Sequence, residues 1–403
     1  MALLNEQGFT DLINNELAQT ERSRREILSS ICVLAVSLIV LEGCDSEPEA
    51  PPSNSSKWDS FYQTLNILKA DHASQPAYSG TSRNAGNVGS DLFAGAVYMG
   101  SGLYFIVPYL SGSARLYDAN TDNVSTPNGS YSDKFQGGAL LPSGRVFCIP
   151  RTSAKAKIYD HVNGSLIDAG GTYETNNSYY GGVTLLDGRI FCVPGNDNTF
   201  AAIYDEATDT TSHVSGFSSS VDAYYGACLL PDGRVFLTPR NDEYATIYDP
   251  ISDTVLQTSC SFGSEADQYY GSVILPDGKV FCVPGRSSTG AIYDPVTDTC
   301  VFPNVNFGSS TSKFVGGVLM GNGNVLCVAR NLGKCWVYDP VNDTATELPS
   351  SFGTDSEHHG GVLLPNGDVL LIPTVSTQAH ILETGQGINI PDSFLLSPFQ
   401  NKI

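Results

Sequence analysis

Apolar residues along most of this chain come in short runs cut by turn formers. Gly181–Leu186 is such a run, Asp187-Gly188 interrupts it, and Arg189–Val193 resumes it before Pro194. Asp-Gly between two short apolar runs is a two-residue hairpin signal, with glycine supplying the positive φ that such turns need. The pattern therefore predicts two antiparallel strands, the second ended by a proline that has no N–H to continue a ladder. Ala201–Tyr204 predicts a third strand, Asp205 to Asp209 its turn, and Thr210 the start of a fourth. Asp232-Gly233, Asp277-Gly278, Asn322-Gly323 and Asn366-Gly367 mark the same hairpin elsewhere.

The pattern is periodic. Tyr-Asp recurs at Tyr117, Tyr159, Tyr204, Tyr248, Tyr293 and Tyr338, at spacings of 42, 45, 44, 45 and 45 residues. A seventh unit opens at His359-Gly360-Gly361 and reaches Leu382-Glu383, 44 residues after Tyr338. A fixed period of this length, with four short strands per unit, predicts an all-β, seven-bladed β-propeller of four-stranded blades.

An apolar strand opening on a glycine pair, an Asp-Gly turn, an aromatic-rich second strand, then Tyr-Asp-Pro and Thr-Asp-Thr resembles the kelch-type, galactose-oxidase-like propeller repeat. The resemblance covers about residues 93 to 391. Val-Pro-Gly or Thr-Pro-Arg stands where that repeat has a double glycine after its second strand, and its fourth-strand tryptophan is absent.

Ahead of the repeats, Arg22, Arg24 and Arg25 precede the apolar run Ile27–Leu41 and the sequence Leu41-Glu42-Gly43-Cys44. A basic flank, an apolar core and a small residue before a cleavage point have the form of a secretory signal. The Leu-x-Gly-Cys end resembles a bacterial lipobox, which implies lipidation of Cys44 and membrane attachment through it. Residues 1–44 are thus expected to be a signal or anchor segment, and 45–57 a disordered linker rich in Pro, Ser and Glu. Residues 58–92 are expected to cap or close the ring, a role for which Ile388 to Ile403 competes, and 93–403 to form the propeller.

Acidic residues exceed basic ones by 42 − 21 = 21, so a phosphate backbone is repelled and no nucleic-acid partner is expected. Of ten cysteines, Cys148, Cys192, Cys282 and Cys327 share the middle of the second strand with Ile106, Leu237 and Leu371 of other units, which marks a buried apolar position. Cys228, Cys260, Cys300 and Cys335 are scattered, so neither a disulfide framework nor a zinc site is expected.

The carboxylate pairs Asp205/Asp209, Asp249/Asp253, Asp294/Asp298 and Asp339/Asp343 fit turn hydrogen bonding better than calcium binding. Phe93, Phe135, Tyr179, Tyr224, Tyr269 and Phe314 recur just before the glycine pairs and suit packing between blades. Tyr180, Tyr225 and Tyr270 lie one residue on, at one end of the expected channel. Loops after the second strands carry Arg151, Asn196, Arg240, Arg286 and Arg330. Tyr180, Tyr225, Tyr270, Arg240 and Arg286 are therefore the expected ligand-binding residues, favouring an acidic partner. No motif for catalysis, a metal or a cofactor occurs. The expected function is a non-enzymatic surface or periplasmic propeller, lipid-anchored outside the cytoplasm, that presents one face to a protein or glycan. The alternatives are a structural or host-binding component of a virion or appendage, and a galactose-oxidase-like carbohydrate-active enzyme.

Overall fold

The computed structural model describes residues 54–72, 78–89, 92–109, 112–128, 133–176, 178–196, 198–353, 358–374, 377–385 and 387–400. Cys44, the segment before it and the first part of the expected linker lie outside the described residues. Seven four-stranded antiparallel sheets follow one another as blades. Their innermost strands are Phe93–Gly100, Phe135–Leu140, Tyr179–Thr184, Tyr224–Leu229, Tyr269–Ile274, Phe314–Leu319 and His358–Leu363.

Blade 3 shows the local logic. Tyr179–Thr184, Ile190–Pro194, Phe200–Asp205 and Thr210–Ser215 pair in that order. The second strand is buried along its whole length and the outer strand mostly exposed, as expected where neighbouring blades cover a sheet but nothing covers its rim. Cys148, Cys192, Cys282 and Cys327 are all 0% exposed in second strands.

The Asp-Gly hairpin differs from the two-residue form. Leu185 N donates to Arg189 O at 2.8 Å, and Gly188 N to Leu185 O at 3.0 Å, so three residues form the loop. Only Gly188, at φ 92°, is left-handed there, because a three-residue loop asks for one such residue at its end. Asp187 instead accepts from Arg189 N at 3.0 Å.

The Tyr-Asp turns are structural. Tyr204 donates to Asp209 at 2.8 Å, Tyr248 to Asp253 at 2.9 Å and Tyr293 to Asp298 at 2.9 Å. The second carboxylate also reaches the preceding blade: Asp209 accepts from Gly170 N at 2.7 Å and Asp298 from Ser259 N at 3.1 Å. Among the described residues no group of three His, Cys, Asp or Glu is placed to hold a metal ion.

Ring closure uses the N-terminal side. Thr81–Asn87 pairs antiparallel with Gln378–Glu383 as the outer strand of blade 7, so the ring begins at Thr81, ahead of the expected boundary at 93. The C-terminal piece takes another role. Helix α1 (Asn54–His72), which overlaps the end of the expected linker, buries Phe61, Leu65 and Leu68. Phe61 stacks on Phe394 of the short helix α2 (Asp392–Leu395) at 4.8 Å, and Trp58 meets the edge of Phe399 at 5.1 Å. These side chains share one apolar cluster with Leu185, Leu230, Leu275, Met320 and Leu364, which follow the innermost strands on the hairpin face. Burying each large side chain is worth about 1.5–3 kcal/mol, and together they cover the hairpin end of the axis. Among the described residues no helix is long and apolar enough to cross a membrane.

The structure also corrects the cysteine reading, because Cys260 and Cys300 form a disulfide with Cα atoms 5.8 Å apart. They occupy the outer strands of blades 4 and 5, Thr254–Ser261 and Thr299–Val301. The two cysteines fall at different points of their units, and the packing of one rim on the next brings them together.

Candidate functional site

At the start of every innermost strand the pairing slips. In blade 3, Tyr179 faces Pro194 but Gly182 faces Cys192, so Tyr180 and Gly181 oppose a single residue. The same bulge follows Phe93, Phe135, Tyr224, Tyr269, Phe314 and His358. The first glycine of each unit supports it with a positive φ, between 76° and 114° from Gly226 to Gly360. The bulge breaks the alternation of faces. The residue before it is buried between blades, while Gln136, Tyr180, Tyr225, Tyr270 and His359 line a cavity of about 170 Å³.

Second strands supply the rest. The residue following each is Tyr109, Arg151, Gly195, Arg240, Gly285, Arg330 or Thr374 in blades 1 to 7. Tyr109 and the three arginines, from blades 2, 4 and 6, line the same cavity together with Asp222. The Arg151 guanidinium lies 4.8 Å from the Tyr109 ring and 5.3 Å from the Tyr180 ring. Arg240 lies 5.6 Å from Tyr225 and 5.3 Å from Tyr270, and Arg330 is 5.3 Å from Tyr270. Rings and guanidinium groups thus alternate around the channel mouth in cation–π contact.

Sequence reasoning places Tyr180, Tyr225, Tyr270 and Arg240 here, and the structure brings all four together. The tyrosine rings are not an open platform, however. They are 7%, 7% and 3% exposed, and their faces hold the arginines. Arg286 is elsewhere. It is the second residue after its strand, not the first, and its half-exposed side chain lies 3.9 Å from Glu265. Arg151 and Arg330, set beside it in the sequence, take the positions that reach the cavity. Gln136, His359 and Tyr109 escape a search for repeated tyrosines. They become visible when the post-bulge and post-strand positions of all seven units are aligned.

Arg240 is held between two carboxylates. Its guanidinium is 2.8 Å from Asp267 and 3.0 Å from Asp222, and Tyr270 donates to Asp267 at 2.7 Å. Burial opposes the charge on Arg240, but Tyr270 and the two carboxylates outweigh it and hold its pKa above the usual value. Burial likewise opposes charge on Asp267, whose pKa is nonetheless lowered by its hydrogen bonds from Tyr270 and Arg240. Among the described residues no carboxylate lies within ion-pair distance of Arg330.

A hydrogen-bond chain fixes the far side. Arg151 donates to Gln136 Oε1 at 3.1 Å, which leaves the Gln136 amide nitrogen to donate to Tyr225 Oη at 3.1 Å and His359 Nε2 at 3.2 Å. Tyr225 Oη is also 3.1 Å from His359 Nε2. His359 Nε2 is therefore an acceptor, and the ring proton sits on the buried Nδ1, on the side of the residue's own backbone. Burial, then Arg330 and Arg151, push the imidazole down to about 3, so it is neutral at pH 7. Burial, then the Asp222 carboxylate, push the Tyr180 phenol up to about 12. The cavity is rich in donors.

No protein-family model matches the sequence, and no curated protein matches it. Solved structures with the same fold include virginiamycin B lyase from Staphylococcus aureus, at 11% identity and TM-score 0.64 over 75% of this chain and 98% of that one. A structure of catalytically inactive lyase with quinupristin gives 11% identity and TM-score 0.63, again over 75% and 98%. A fungal alcohol oxidase of the AA5 family, in complex with copper, gives 13% identity and TM-score 0.58 over 76% of each chain. At such identities the likeness establishes the propeller alone, and these enzymes carry no activity over to this chain.

Proposed function

We propose that this protein is a non-enzymatic binding propeller that takes an acidic group of a protein or glycan into the cavity at its channel mouth. The observation that carries the reading is the convergence of Arg151, Arg240 and Arg330 on one small cavity of a chain whose net charge is −21. Guanidinium groups are donors only and match oxyanions in geometry. Aromatic support fixes them in advance, which lowers the ordering cost of binding. Three guanidinium groups around His359 also repel a cation, which disfavours the copper-oxidase reading for this cavity. An imidazole that stays unprotonated far below neutrality is a poor proton shuttle.

We place the protein outside the cytoplasm, anchored through a lipidated Cys44. The Cys260–Cys300 bond supports an oxidising compartment. Helix α1 lies on the hairpin face, opposite the cavity mouth. Mass spectrometry of the mature N-terminus tests the anchor: an acylated Cys44 is expected, and an intact Met1 contradicts it. For the binding function, wild type and the Arg151→Gln/Arg330→Gln double variant are compared on acidic and neutral glycans and on acidic peptides. Retention of acidic ligands by the wild type, weakened at least about tenfold in the variant at unchanged melting temperature, is expected. Equal binding by both proteins would place the site elsewhere.

A further inference from the structure

We infer that the group entering this cavity is a carboxylate with a hydroxyl one or two carbons away, such as a free hydroxy acid or a sugar acid of a glycan carries. The inference rests on the acidic-ligand reading and narrows it. Size is the first consideration. A cavity of about 170 Å³ is smaller than the roughly 300–1,000 Å³ of most small-molecule sites, so it admits one compact unit.

Polarity is the second. Against the guanidinium groups stands one carboxylate, Asp222, which lines the cavity. Its Oδ2 is 3.0 Å from Arg240, while the Tyr180 phenol lies near the carboxylate and its buried Oδ1 accepts no well-formed hydrogen bond among the described residues. A bare carboxylate held by Arg330 and Arg151 would leave that acceptor unpaired and face its charge. A hydroxyl beside the carboxylate donates to it and removes both penalties, since an unmet buried acceptor is costly. Asp and Glu side chains carry the carboxylate without the hydroxyl, so the arrangement favours a hydroxy acid over an acidic protein surface.

The test is calorimetric titration of the full chain with succinate, malate and D-glucuronate. Succinate and malate differ by one hydroxyl, and glucuronate carries a hydroxyl two carbons from its carboxylate on a sugar ring. At least one hydroxy acid is expected to bind about tenfold or more tightly than succinate. Preference for glucuronate assigns the ligand to glycans, and preference for malate to free acids. Asp222→Asn is expected to erase the preference while leaving succinate binding equal or stronger, because a negative charge is gone. Asparagine also tolerates the φ of 53° at this position, and an unchanged melting temperature checks the fold. Arg330→Gln is expected to weaken all three ligands. Succinate binding as tightly as both hydroxy acids, with Asp222→Asn moving all three alike, would overturn the hydroxyl inference and leave the acidic-ligand reading standing. Absence of binding by any of the three at millimolar concentration would count against both.

Discussion

Gly285 takes the post-strand position that holds arginine in blades 2, 4 and 6, and its φ is not the reason. A methyl built on it would overlap the Tyr270 ring and the Asp267 carbonyl. The missing side chain makes room for Tyr270, which in turn supports Arg240 and Arg330. Gly285→Ala is therefore expected to displace that ring and weaken acidic-ligand binding by about tenfold or more, read by titration beside a circular-dichroism melt. Unchanged affinity would show that the tyrosine support is dispensable. Cys192, 0% exposed with its thiol pKa raised by burial, is expected to resist alkylation until the protein unfolds, and Cys192→Ser to cost about 1–3 kcal/mol. Tyr180, Tyr225, Tyr270 and Arg240 were legible in the sequence because they repeat. The direction of the tyrosine side chains was not, since a bulge at each glycine pair breaks the two-residue alternation on which face assignment depends. Arg286 misled for a related reason, a one-residue offset that proximity to the strand end conceals.

The rims of blades 4 and 5 are joined twice. Asp298 accepts from Tyr293 in its own turn and from Ser259 N of the preceding blade, and Cys260 is bonded to Cys300 alongside. With 40 residues between the two cysteines, Cys260→Ser is expected to lower stability by about 2–4 kcal/mol, measured by urea unfolding without reductant. Dithiothreitol should bring the wild type to the same value. A variant as stable as the oxidised wild type would show that blade packing suffices there. Strand, turn and blade count were readable because each unit repeats them, whereas this pairing depends on how two rims meet. Ring closure was legible as a need, with 58–92 as one of two candidate segments, but not as a strand. Thr81–Asn87 contains Arg83, Asn84 and three other polar residues beside glycine and alanine, so hydropathy does not mark it as a strand. Truncation to start at residue 93 is expected to abolish cooperative folding, and truncation to start at 54 to preserve it.

For the whole molecule, the buried histidines set the acid limit. Burial pushes His358 down to about 4 and His359 to about 3, below the ordinary value of about 6.5. Unfolded chains then bind protons that the native state refuses, so stability is full above pH 6.5 and falls as pH drops towards these values. Each histidine contributes a loss of about 1.4 kcal/mol per pH unit across that window. Phe93, Phe135 and Phe314 occupy the register of His358 in other blades, so His358→Phe is expected to fold and to remove its share of the slope between pH 6.5 and 4. An unchanged slope in pH-dependent urea unfolding would place the proton elsewhere. The carboxylates of Asp209 and Asp298, lowered by their hydrogen bonds to neighbouring blades, act in the same direction at lower pH.

That an acidic propeller gathers its function at one cationic point on its axis is the central claim, and crystals soaked in selenate test it most directly. Anomalous scattering locates the oxyanion without assuming its position. A selenium peak within the cavity, in reach of Arg151 and Arg330 and lost in Arg330→Gln crystals, is the expected result. Selenate bound only at the rims or on the hairpin face, with the cavity holding none, would contradict the account.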